Sequence, residues 1–178
     1  MMGAAGSAGL SGRCPVVIFG LALFLLSGCS STPVQPGPDA ATGADTAPLQ
    51  AEMDMGTGAM RHALNMVGTP YRFGGNTPRD GFDCSGLVQY SYALAGMSLP
   101  RTLEQLLTST RSVSMTRVRP GDLVFFHLDG KRNSHVGLYI GNGNFVHAPS
   151  TGKLVSTESL SNPFWSRHLA GARRPIFD

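Results

Sequence analysis

The apolar pattern of this chain changes character twice, near residue 59 and again at Pro120-Gly121, and those two breaks bound what it can fold into. From Ser30 to about Gly58, Pro, Gly, Ala, Ser and Thr dominate, aromatics are absent and no apolar period emerges. Such a segment cannot bury enough surface to order itself, so residues 29–58 read as a disordered linker. Residues 59–178 read as the folded domain. Helical spacing of Met60, Ala63, Leu64 and Val67 predicts a first helix, stopped by Gly68-Thr69-Pro70. Cys84 to Leu94 predicts a second, with Asp83 as N-cap and Gly96 just past its end. A third covers Thr102 to Leu107. Beyond Pro120-Gly121 the pattern turns to strands: Asp122–His127, His135–Ile140, Phe145–Ala148 and Ala172–Ile176, with a short helix over Asn162–His168. Helices first and a small antiparallel sheet second predict an α+β fold.

The N-terminal 28 residues belong to targeting. Arg13 precedes an apolar run from Val16 to Leu26, too short to span a bilayer, where about 20 apolar residues are needed. Leu26-Ser27-Gly28-Cys29 resembles the lipobox of bacterial lipoproteins, in which the Cys is acylated and becomes the first residue. Residues 1–28 are therefore expected to be a signal peptide and Cys29 the lipid attachment point, tethering the domain to a membrane. Of the three Cys, Cys14 then leaves with the signal, Cys29 carries lipid and Cys84 stands alone without a disulfide partner. The net charge of +3 contains no Lys/Arg block and argues against a nucleic-acid partner.

Cys84 falls at the first position of its helix, where the helix dipole and free N–H groups favour a thiolate. Asp83 opposes this, so a cationic partner is needed. Five histidines are available. His62, His127 and His168 read as structural or surface residues, whereas His135 and His147 sit on neighbouring strands of one hairpin. No C-x₂-C or H-x₃₋₅-H spacing supports zinc, and no metal is expected. A two- or four-residue loop centred on Asn142-Gly143 would pair Leu138 with His147 and put the two His on opposite faces. A three-residue loop, Gly141-Asn142-Gly143, pairs Gly137 with His147 and sets His135, Gly137, Tyr139, Phe145 and His147 on one face. That register separates the apolar residues more cleanly, and it requires either an odd-numbered loop or a bulge in the strands. It favours a Cys–His–His relay, with His135 as base and His147 orienting it.

Five ordered segments carry a family resemblance: Gly68-Thr69-Pro70-Tyr71-Arg72-Phe73-Gly74-Gly75, Phe82-Asp83-Cys84-Ser85-Gly86-Leu87-Val88, Arg119–Phe126, His135–Gly141 and Phe145-Val146-His147-Ala148. They resemble the NlpC/P60 family of papain-like cell-wall cysteine peptidases. The resemblance implies Cys84 as nucleophile, His135 as general base, His147 as its orienting residue, and Tyr71 as a contributor to the oxyanion site. Asp83, Ser85 and Arg101, the last within Leu99-Pro100-Arg101-Thr102, are expected to bind substrate. No cofactor is implied. The substrate implied is peptidoglycan, and the lipoprotein layout is similar to family members that cut the D-alanyl–diaminopimelate cross-link. Others cut the D-γ-glutamyl–diaminopimelate bond within one stem. Ser30 after Cys29, rather than Asp, favours the outer membrane. A non-catalytic wall-binding lipoprotein would account for the anchor but not for the Cys–His–His set. A Cys–His acyltransferase or amidase remains a rival in chemistry.

Cys29→Ala is expected to release the protein from membranes without lowering its activity on soluble muropeptides. Cell fractionation reads the outcome, and a variant still found with the outer membrane would contradict the lipobox reading.

Overall fold

The computed structural model describes residues 46–176; the apolar run, Cys29 and residues 30–45 lie outside the described residues. The described residues fall within one compact unit. Its elements run α1 (Thr46–Leu64), β1 (Asn76–Thr77), β2 (Gly81–Phe82), α2 (Cys84–Leu94), α3 (Leu103–Thr108), β3 (Thr110–Val113), a 3₁₀ turn (Met115–Arg117), β4 (Leu123–Leu128), β5 (Lys131–Gly141), β6 (Asn144–His147), β7 (Ser156–Ser159), α4 (Pro163–His168) and β8 (Leu169–Pro175). The architecture is α+β, with an antiparallel six-stranded sheet in the order β3-β8-β4-β5-β6-β7.

The first helix corrects one expectation. It starts at Thr46, not near Ala59, so the C-terminal part of the segment read as linker is helical. Pro48 sits in the first turn, where its missing N–H costs nothing. Gly56 and Gly58, which read as linker residues, are contact points. A Cβ at Gly56 would lie 2.9 Å from the Pro120 carbonyl oxygen, and one at Gly58 would press on Ala95 at 3.3 Å. With Ala59 and Ala63 they let α1 approach α2 and the Pro120-Gly121 turn closely. Tertiary packing outweighs a helix-propensity cost of about 1 kcal/mol per Gly.

Helix α2 follows expectation. The Asp83 carboxylate caps it by accepting from the Gly86 N–H, and Gly96 takes the positive φ of 95° past its end. Thr102 and Asn162 cap α3 and α4 in the same way. The sheet carries two clusters. Leu123, Phe125, Val136, Leu138, Val146 and Ala148 pack with α1 and α2. Val124, Phe126, Tyr139 and Phe145 pack with Trp165 of α4. β3 and β7 pair at opposite edges and were not anticipated, because Thr110–Val113 and Ser156–Ser159 lack an alternating apolar pattern.

In the β5–β6 hairpin, Leu138 pairs with Val146 and Tyr139 with Phe145, which brings Gly137 opposite His147 as the face segregation required. The device differs from the three-residue loop expected. Gly141 pairs with Asn144 across a two-residue turn, with Asn142 (φ 52°) and Gly143 (φ 73°) both left-handed, and the odd residue is absorbed by a bulge between Tyr139 and Gly141. That is the backbone pattern of a type I′ turn. A Cβ on Gly137 would strike the Phe145 ring at 2.5 Å.

Nothing lies within 4 Å of a Cβ built on Gly143, so Gly143→Val should cost only the backbone penalty, about 1–2 kcal/mol. Urea unfolding should show a lower midpoint with an unchanged slope.

Candidate active site

Cys84 opens α2, half-buried, as a free thiol. Three N–H groups, those of Val136, Ser85 and Cys84 itself, face the sulfur and favour its thiolate. Burial and the Asp83 charge outweigh them, so the thiol is held above its usual range. The Val136 contact brings the sulfur to β5, one residue along the strand from His135.

The His pair forms as the register requires. His135 Nε2 lies 2.8 Å from His147 Nδ1, with the rings at 90°. Both side chains are buried, and burial drives the His135 imidazolium down to about 4. His147 is lowered as well, by burial first and then by the charges of His135 and Lys153. The pair therefore rests neutral. Tautomers follow from the geometry: if His135 Nδ1 is to accept a proton, its hydrogen sits on Nε2 and is donated to His147 Nδ1.

Trp165 completes this corner and was not singled out as a site residue. Its ring stacks on His135 at 5.8 Å and 28°, and meets His147 edge-on at 4.8 Å. Phe126 and Phe145 close the remaining sides. The single tryptophan, on an amphipathic turn behind Asn162-Pro163, was the available signal; its target required the fold.

At the other side of the thiol, Asp83, Ser85 and Arg101 are brought together. The Asp83 carboxylate accepts from the Gly74 N–H (2.9 Å), the Gly86 N–H (2.7 Å) and Ser85 Oγ (3.2 Å). Arg101 donates to both its oxygens at 2.9 and 2.6 Å, and also to Ser85 Oγ and the Gly75 carbonyl. The cation that Asp83 demanded is thus an arginine from the loop before α3. The Gly75 carbonyl presses on the first turn of α2: a Cβ at Gly86 would lie 2.0 Å from it, which explains glycine after Asp83-Cys84-Ser85. Tyr71 stands near the same group; burial, then the charges of Cys84 and Asp83, push its hydroxyl up. His62, His127 and His168 lie elsewhere, with His127 accepting from the Asn133 N–H and His168 bonded to the Phe164 carbonyl. Among the described residues no cluster of His, Cys, Asp and Glu could hold a metal.

The NlpC/P60 family model matches residues 68–174, the segment that holds Tyr71, Asp83, Cys84, Ser85, Arg101, His135, His147 and Trp165. The chain belongs to the NlpC/P60 family. Across 166 residues it is 38% identical to the murein DD-endopeptidase MepS/murein LD-carboxypeptidase of Escherichia coli K12, covering 85% of this chain and 87% of that protein. It is 44% identical to the murein DD-endopeptidase MepH of the same strain over 120 residues, which is 65% of this chain but only 44% of MepH. Among solved structures, an NLP/P60-family protein similar to lipoprotein from Staphylococcus aureus superimposes with a TM-score of 0.63 at 40% identity, over 70% of this chain and 42% of that one.

The neutral, buried His pair has a thermodynamic consequence. The unfolded chain protonates these rings near 6.5, whereas folded His135 resists until about 4. Stability should therefore be unaffected by these groups above 6.5 and fall as pH drops from there toward 4. His147→Phe should flatten part of that slope in urea titrations run across this range.

Proposed function

We propose that this protein is a lipid-anchored cysteine peptidase that hydrolyses the D-alanyl–diaminopimelate cross-links of peptidoglycan. What supports the reading is a thiol at a helix start that meets the Val136 N–H, one residue along β5 from His135, together with the bonded His135–His147 pair and a domain similar over most of its length to a murein endopeptidase.

Cys84 Sγ attacks the scissile carbonyl carbon while His135 Nδ1 takes the thiol proton. The Nε2–H of the resulting imidazolium stays bonded to His147 Nδ1, which keeps the ring aimed and disperses its charge. Because the thiol is raised and His135 lowered, the resting site is a neutral pair, and the proton moves as the carbon–sulfur bond forms. The carbonyl oxygen, now anionic, turns to the N–H groups at the start of α2 and to the Tyr71 hydroxyl. His135 then gives its proton to the departing amine, leaving a thioester on Cys84. Water activated by His135 hydrolyses that thioester and restores the thiol. Asp83, Ser85 and Arg101 fix the helix start, and the part-exposed Arg101 side chain also faces substrate.

Relatives named for a different bond, the bifunctional muramidase/DL-endopeptidase CwlT and a γ-DL-glutamyl hydrolase of Bacillus subtilis, are 40% and 42% identical over the domain. They make cleavage within one stem the second reading. Digestion of purified murein with mass analysis of the products separates the two: cross-linked dimers should fall to intact monomers, and truncated stems would indicate the second bond. Cys84→Ala should abolish turnover with the fold intact. His135→Ala should cost more than His147→Ala, which removes the orienting group and leaves the base. Activity of Cys84→Ala within tenfold of the unmodified protein would end the cysteine-peptidase reading.

A further inference from the structure

Away from the thiol, arginines gather at the β3 end of the sheet. Arg111 of β3, Arg117 of the 3₁₀ turn, Arg119 and Arg174 of β8 surround a groove of about 280 Å³, with Leu49 of α1 lining it. Asp122 holds Arg174 through both carboxylate oxygens at 2.6 and 2.7 Å, and Glu52 reaches Arg111 at 3.2 Å. Among the described residues neither Arg117 nor Arg119 pairs with a carboxylate, so two positive charges stand uncompensated. An adjoining cavity of about 180 Å³ shares Arg119 and Arg174 and is lined by Met53. Leu49 and Met53 fall four residues apart on one face of α1, each 43% exposed, and Met115 stands 37% exposed two residues before Arg117. The two acidic residues that flank Met53 on the helix are both engaged, Glu52 with Arg111 and Asp54 as acceptor from Gln50.

Exposed apolar side chains set among unpaired arginines have the composition of a face that lies in a membrane interface. The apolar groups enter the headgroup–acyl boundary and the guanidinium groups meet phosphate. The position of the face agrees with this. Helix α1 begins at Thr46, one turn before Leu49, and the 16 residues 30–45 lead back to Cys29. Their contour is at most ~53 Å, so an acylated Cys29 would keep the start of α1 close to the bilayer.

We propose that this face, Leu49 and Met53 with Arg117 and Arg119, docks the domain on an anionic phospholipid surface. Docking holds the domain against the membrane by the end that carries the tether. Its geometry rests on the lipid-anchor reading, but its chemistry does not, and a test without lipid lets the two fail separately.

The test uses residues 38–178, which include every described residue and both apolar clusters, and sedimentation with vesicles. Vesicles of phosphatidylglycerol and phosphatidylcholine should pull the domain down; phosphatidylcholine alone should not, and about 0.5 M NaCl should weaken the binding. At roughly fivefold per cation, Arg117→Gln with Arg119→Gln should lower partitioning about 25-fold. The paired Lys variants should retain most of it, and Leu49→Ser with Met53→Ser should also reduce it. Turnover of soluble muropeptides should be unchanged in the Gln pair, and a thermal melt checks its fold. Should the Gln pair not fold, the salt series and the Lys pair decide. Equal binding to neutral vesicles, or no effect of the Gln pair, would overturn the proposal. So would capture by isolated murein without vesicle binding, lost in the Gln pair, which would assign the arginines to wall carboxylates.

Discussion

The two-pronged contact between Arg101 and Asp83 is the interaction on which the site depends. A carboxylate beside a thiol is a poor choice unless its charge is answered, and in a buried position an unanswered one costs several kcal/mol. Arg101 answers it at 2.6 and 2.9 Å and, with the same guanidinium, holds Ser85 and the Gly75 carbonyl. The Gly74-Gly75 loop, the first turn of α2 and the segment before α3 are thereby fixed to one point. Asp83 caps the helix only because its remaining lone pairs are also filled. An arginine suits this better than a lysine, since one planar fork serves both oxygens and two further acceptors.

On the other side of the sulfur, hydrogen-bond geometry and aromatic packing replace charge. The imidazoles of His135 and His147 are buried against Phe126, Phe145 and Trp165, and burial keeps them neutral. Neutral imidazoles and a neutral thiol impose no standing charge on the apolar cluster beneath them. The same packing removes the freedom of the rings to turn away. The proposed chemistry draws on this: charge arises in the site only as the thiol attacks, and dipoles already in place meet it.

Much of this was legible beforehand, for identifiable reasons. The helix from Cys84 has its cap, its apolar face and its terminating glycine in one short stretch, so local physics decides it. The hairpin register was legible because a one-residue slip would turn its apolar set to the wrong face. The means was less so: an Asn-Gly turn plus a bulge, and a three-residue loop, give the same pairing, and side-chain alternation does not distinguish them. The β3 and β7 strands were missed because edge strands with polar side chains carry no alternation. Helix α1 was read as starting too late because Gly56 and Gly58 resemble breakers until the surfaces that press on them are known.

The sequence by itself determined the elements whose signals are local, the pairing of His135 with His147 through strand alternation, and the family to which its motifs are similar. Tertiary structure decided that Arg101, 18 residues from Asp83, would neutralise it, and that Trp165, 18 residues beyond His147, would wall in both imidazoles. It also gathered Arg117, Arg119 and the start of α1 on one face. Periodicity reports which way a side chain points along its own element. Which distant group it meets depends on how elements pack, and that is set by shape and charge satisfied together across the whole domain.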